Sequence, residues 1–196
     1  MFVPAGLLAG LLAAPAAQAQ QRFQPGYLVL ERGDTVRGLL EAPTRSMATQ
    51  GVYFRKSAAT EPQFYPIKAV RSLRVVEGKT YVVRKMQPMM GHDTLRLFME
   101  PLAQGRATLY RSSYNALAND PNAVFANQLS FAYYYIGQAS TPGRPPYLLQ
   151  SNTFRSDLRS LFSDCPSAPA VSGKFTEDNL TRLVQQYNAC TTGLTR

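Results

Sequence analysis

The chain has 196 residues, and removal of a leader would leave about 175, the size of one ordinary domain with a sizeable core. Lysine and arginine number 21 against 12 acidic residues, a formal net charge of +9, and every charged side chain lies beyond position 19. A single histidine and two cysteines supply too few ligands for a His/Cys zinc cluster, while the basic balance leaves room for an anionic partner beside the plainer role of solvating strand faces.

Residues 1–19 are dominated by Ala, Leu and Gly and end in Ala17-Gln18-Ala19, a small-x-small cleavage pattern. The apolar run Leu7–Leu12 is far shorter than the ~20 residues that span a bilayer. The stretch therefore predicts a secretory signal peptide, although the usual basic n-region is missing. Residues 20–196 are then expected to form a single exported domain, periplasmic or secreted. No cysteine stands near the cleavage site to accept a lipid, and no transmembrane span is expected after cleavage.

From Gln20 to Gln150 the pattern is strand, turn, strand. Runs rich in β-branched and aromatic residues predict strands over Tyr27–Arg32, Thr35–Glu41, Gly51–Lys56, Gln63–Ile67, Val70–Glu77, Thr80–Met86, Thr94–Leu102 and Ala107–Arg111, with two less patterned ones at Phe131–Ile136 and Tyr147–Gln150. Gly33-Asp34, Gly78-Lys79 and Gly105-Arg106 each fall between strands, and glycine supplies the positive φ that a two-residue primed turn needs. Such a turn at Gly33-Asp34 sets Leu30 opposite Arg37 and Leu28 opposite Leu39, and sends Tyr27, Val29, Val36 and Leu40 to the core. At Gly78-Lys79 it sets Val76 opposite Tyr81 and Arg74 opposite Val83. Ser112–Ser130, with the turn Asn119-Asp-Pro-Asn122, reads as a long loop, and the prolines of Ser140–Pro146 exclude a central strand there.

After Ser151 the period changes. Phe154, Leu158, Leu161, Phe162 and Cys165 fall on one helical face that Pro166 stops. A second helix opens at the N-cap Thr176, with Glu177 and Asp178 at the positive end of the dipole and Phe175 placed to staple Leu180. Its apolar stripe is Leu180, Leu183, Val184, Tyr187 and Cys190. Cys165 and Cys190 in an exported chain predict a disulfide. The bridge requires the connection Pro166–Lys174 to run back along the first helix, which nine extended residues, reaching roughly 30 Å, can do. The predicted class is α+β: a mostly antiparallel, strongly curved sheet or partial barrel (20–150), followed by two C-terminal helices (151–196).

The Gly26-Tyr27 run into Gly33-Asp-Thr-Val-Arg-Gly38, the strand ending Leu109-Tyr110, the tyrosine-rich Tyr133-Tyr-Tyr-Ile136, and the pair Asp164-Cys-Pro166 and Tyr187-Asn-Ala-Cys190 together resemble a group of uncharacterised exported proteins of the Bacteroidota. The resemblance runs from about Gly26 to Cys190. It implies a compartment and a layout, and nothing about chemistry.

Chemistry-bearing constellations are few. His92, in a turn before the Thr94 strand, has no Gly-x-Ser-x-Gly elbow to serve. Asp120 and Asn122 lack the glycine and terminal glutamate of a calcium loop, and no glycine cluster cradles a phosphate. Export weighs against nucleic acid as partner of the aromatic and basic residues at Tyr110-Arg111 and Tyr133–Tyr135. Several strands are too short for an outer-membrane barrel. Among the acids, Glu31, Asp34, Glu41 and Glu77 stand in or beside turns, and alternation points Glu100 outward. The densest basic stretch is Lys68, Arg71, Arg74, Lys79, Arg84 and Lys85, with Glu77 as its single acid. These features imply a non-catalytic binding or interaction module outside the cytoplasm, without metal or cofactor, taking an anionic ligand or envelope partner on that basic stretch. The alternative is a carbohydrate- or peptide-directed hydrolase, which would show two acids facing one another in a pocket.

Overall fold

The computed structural model describes residues 23–43, 47–75, 78–86, 95–112, 132–141 and 143–190. The expected leader, Val76, Glu77, His92, Asp120 and Asn122 lie outside them. Ten strands form in chain order: β1 (Phe23–Leu30), β2 (Thr35–Glu41), β3 (Gly51–Arg55), β4 (Gln63–Pro66), β5 (Val70–Val75), β6 (Thr80–Met86), β7 (Leu95–Ala103), β8 (Ala107–Ser112), β9 (Tyr133–Gln138) and β10 (Tyr147–Leu148). Two helices follow, α1 (Phe154–Leu161) and α2 (Glu177–Asn188). The strands make one antiparallel sheet, β10-β9-β8-β7-β6-β5-β1-β2-β3-β4, open at both edges. The α+β class and the two C-terminal helices are as expected from the pattern.

Sequential hairpins account for every pairing except one. A short 3-10 turn, Ile67–Ala69, carries the chain from β4 into β5, which pairs not with β4 but with β1. Alternating directions make β4 and β5 run the same way, so the two act as one bent strand and β1 to β5 roll around a common core. Leu28, Leu40 and Leu73 are fully buried there, beside Val52, Phe54, Val70 and Phe98. Each such side chain contributes about 1.5–3 kcal/mol on leaving water.

The first two turns differ from the two-residue form. Gly33 N–H donates to Leu30 O at 2.9 Å and Leu30 N–H to Asp34 O at 2.8 Å, while Gly33 sits at φ 99°. The loop is thus Glu31-Arg32-Gly33, a three-residue connection closed by glycine in the left-handed region. Gly78 repeats it, donating to Val75 O at 3.1 Å at φ 114°, with Val75 N–H on Lys79 O at 3.0 Å. One cause produces both corrections, because the longer loop slips the register by three residues. Leu28 faces Val36 and Tyr27 faces Arg37; Leu73, not Val76, faces Tyr81, and Arg74 faces Thr80. An odd slip turns one strand over. Leu28 and Leu30 therefore join Leu40 in the core, and Tyr27 and Val29, expected there, lie on the outer face.

The helices cover the inner face of β7 to β9. Ala107, Leu109, Tyr134 and Ile136 pack against Phe154, Leu158, Leu180, Leu183, Val184 and Tyr187. Thr176 caps α2 by accepting from Asn179 N–H, with Glu177 and Asp178 in the first turn. Phe175 lies against the rings of Tyr134 and Phe154, at 5.7 and 5.3 Å. α1 stops at Leu161, sooner than Pro166 demands, and Cys165 sits in the turn beyond it. The connection does run back, since Arg155 near the start of α1 donates to Gly173 O at 2.8 Å.

At the far end of both helices a clasp closes the domain. Cys165 and Cys190 are bridged, with Cα atoms 6.2 Å apart. Arg106, in the β7–β8 turn, donates to Asp164 at 2.8 Å and lies over the ring of Tyr187, whose hydroxyl donates to Asp164 at 2.9 Å. The Asn188 amide takes both backbone groups of Ala107, each at 2.9 Å. Gly105 admits it, because a Cβ there would stand 2.5 Å from Asn188 Cγ. This third glycine serves close approach instead of a positive φ.

Candidate functional site

Glu100 is the acid whose placement departs from expectation. It faces the helix layer with its side chain only 15% exposed, and its Oε2 accepts from Arg111 Nη2 at 2.5 Å. Alternation alone selects a face, and here both faces of β7 are covered. Arg111 also donates to Glu177 at the start of α2, at 2.7 Å, and Tyr134 donates its hydroxyl to the same carboxylate at 3.3 Å. Burial opposes the guanidinium charge, but the hydrogen bonds and fields of Glu100 and then Glu177 outweigh it and hold Arg111 above its ordinary value. Burial and then the field of Glu100 push the neighbouring Tyr81 hydroxyl up as well.

Two carboxylates thus face each other across one guanidinium. A glycosidase pair needs its two acids roughly 5–9.5 Å apart with the scissile bond between them, whereas here the space between the two carboxylates is filled by Arg111, which bonds both. The group bonds strand β8 to strand β7 and helix α2, and its hydrogen-bonding capacity is spent internally. The other acids are also placed: Glu31 pairs with Arg96 at 2.5 Å, Asp34 with Arg32, and Glu41 is buried in β2. Among the described residues no group of three His, Cys, Asp or Glu could hold a metal.

The basic stretch divides. Cross-strand partners share a face, and the register puts Arg37, Tyr27, Arg74 and Thr80 in one row across β2, β1, β5 and β6 on the outer side. Arg84 lies on that same side, four residues along β6. Adjacent strands are about 4.8 Å apart and residues about 3.3 Å along a strand, so Arg74 lies roughly 10 Å from Arg37 and roughly 14 Å from Arg84, with Arg37 and Arg84 about 20 Å apart. All three are exposed, and among the described residues none is in an ion pair. Two of the three guanidiniums lie over aromatic rings, Arg37 over Tyr27 at 5.8 Å and Arg84 over Tyr110 at 5.5 Å, with Arg55 over Phe23 at 4.4 Å on the same side. Stacking by itself leaves a guanidinium's donors available, although Arg84 also donates from Nε to the Tyr110 hydroxyl at 3.1 Å and from Nη1 to Val83 O at 3.3 Å.

Of the six basic residues the sequence picks out, Arg74 and Arg84 share this face. Arg71 is the extra residue of a bulge opposite Val29 and Leu30, Lys68 is in the 3-10 turn, Lys79 is in the second hairpin, and Lys85 pairs with Arg96 on the other side of β6. Arg37 and Arg55 were missed because only the β1–β5 pairing, remote in sequence, aligns them. Arg111 was missed although a signal existed: centring the third hairpin on Gly105-Arg106 sets Glu100 opposite Arg111, as observed.

These features define an antiparallel sheet backed by two bridged helices, with a basic outer face. No protein-family model, curated protein or solved structure matches the chain. Among the described residues no helix is long and apolar enough to cross a membrane.

Proposed function

We propose that the protein is a non-catalytic binding module that works outside the cytoplasm and takes an anionic partner on the outer face of β1, β2, β5 and β6. The observation that carries this reading is the exposed set Arg37, Arg74 and Arg84, held on one face, none of them in an ion pair with a described carboxylate. A disulfide supports an oxidising compartment. The hydrolase alternative loses its strongest acid pair at Arg111, which bonds both carboxylates.

The test is retention on immobilised heparin with a matched control of equal charge loss. Arg37→Gln/Arg74→Gln/Arg84→Gln should elute at clearly lower salt than Arg159→Gln/Lys174→Gln/Arg182→Gln, whose changes lie on the helical side. Equal shifts in the two triples would mean that net charge alone is felt, and would overturn the assignment of the face.

A further inference from the structure

A second feature lies on a different surface. Between the β9–β10 end of the sheet and α1 opens a groove of about 480 Å³, within the roughly 300–1,000 Å³ of small-molecule sites. Ile136 and Leu161, both buried, give its lining an apolar part. Tyr147, the cross-strand partner of Ile136, adds an aromatic ring that is 39% exposed. Around it stand Gln138, Arg144, Asp157 and Ser160.

The polar lining differs from the Arg111 cluster and the Asp164 clasp in one respect. Those groups satisfy each other, whereas the side chains of Gln138, Arg144 and Ser160 and the hydroxyl of Tyr147 make no hydrogen bond to another described residue. Asp157 is held from one side only, its Oδ2 accepting from the Thr153 hydroxyl at 2.8 Å. Burial, then the Asp157 carboxylate, pushes the Tyr147 hydroxyl above the ordinary value against the opposing field of Arg144, so it stays a donor at neutral pH. One cation and one carboxylate cancel in sum, which favours neither a polyanion nor a polycation. A ligand that both gives and takes hydrogen bonds and has a flat apolar face fits this set: hydroxyls can donate to Asp157 and accept from Arg144, Gln138 serves both ways, and the ring face meets C–H groups.

We propose that this groove binds a neutral oligosaccharide, with Tyr147 stacked on a sugar face and Arg144, Gln138 and Asp157 engaging its hydroxyls. Asp157 is the lone carboxylate among the lining residues, so the site holds a sugar without the paired acids that cleave one. The site goes beyond the outer-face reading and is independent of it.

The experiment titrates the full exported chain, bridge intact, with cellohexaose, maltohexaose and chitohexaose by calorimetry. The chain has no tryptophan, so tyrosine fluorescence supplies a second signal. At least one probe should bind at millimolar concentration or below. Tyr147→Ala should weaken it about tenfold, as loss of an aromatic contact does, and Asp157→Asn should weaken it several-fold. Tyr147→Phe, which keeps the ring, should retain most of the binding. Arg74→Gln, on the other face, should leave it unchanged, which separates this site from the anionic one. Absence of binding by all three probes at millimolar concentration would overturn the proposal. So would binding that survives Tyr147→Ala in a protein whose circular dichroism is unaltered.

Discussion

Removing the Cys165–Cys190 bridge should lower stability by about 3.5 kcal/mol. The two cysteines are 25 residues apart, and loop-closure entropy for a loop of that size, applied to the unfolded chain, gives this figure at 25 °C. The folded state should change little, because Asn188 on Ala107 and Arg106 on Asp164 hold the same helix ends without the sulfurs. Cys165→Ser/Cys190→Ser should therefore keep its near-ultraviolet circular dichroism. Its urea midpoint should fall by roughly 1.5–2 M, taking an m-value of about 2 kcal/mol/M. A fall below about 0.5 M with an unchanged m-value would refute the reasoning, by showing that the bridge constrains little in the denatured ensemble.

Other perturbations probe the joints. Asn188→Ala leaves the Ala107 N–H and C=O without their side-chain partner and should cost about 2 kcal/mol in urea unfolding; a loss under 0.5 kcal/mol would mean that water replaces the amide freely. Arg111→Met should cost about 2–3 kcal/mol, discounted because Glu177 is 35% exposed. Adding Glu100→Gln should recover part of that loss, and strict additivity in the double variant would show that the two do not couple. Burial first, then the adjoining carboxylates Glu177 and Asp164, raise Tyr134 and Tyr187 above the ordinary 10.0. The folded state thus holds these protons more tightly than the unfolded one. Their contribution is complete below about pH 10 and is lost as pH rises through the raised folded values. Absorbance at 295 nm should show late-titrating tyrosines that become ordinary in urea, and Tyr187→Phe should flatten the alkaline fall in stability; an unchanged fall would exclude Tyr187 as its source.

Much of the layout was legible in the chain. Strands β2 and β6 match the predicted spans to the residue, because β-branched and aromatic runs between turn residues encode an extended backbone locally. The α2 cap, its acidic first turn and its apolar stripe were equally local. Register was not, since a turn's length decides which face a strand presents, and Gly33 serves a two-residue or a three-residue loop alike. The candidate site was less legible still. Glu100 and Arg111 could be paired through their own hairpin, but Glu177 reaches Arg111 from a helix far along the chain, and Arg37 meets Arg74 only through β1.

What the sequence determined by itself was local: where the backbone extends, where it coils into a helix, and which cysteines lie within a loop's reach. Tertiary structure decided which side chains face each other. β5 leaves β4 and adds to β1, which puts Arg37 and Arg74 in one row, and α1 packs beside β9 and β10, which opens the groove at Tyr147. The physical reason is common to both. Backbone conformation follows from neighbouring residues, whereas a surface is assembled from strands and helices whose contacts are settled by burying a shared core.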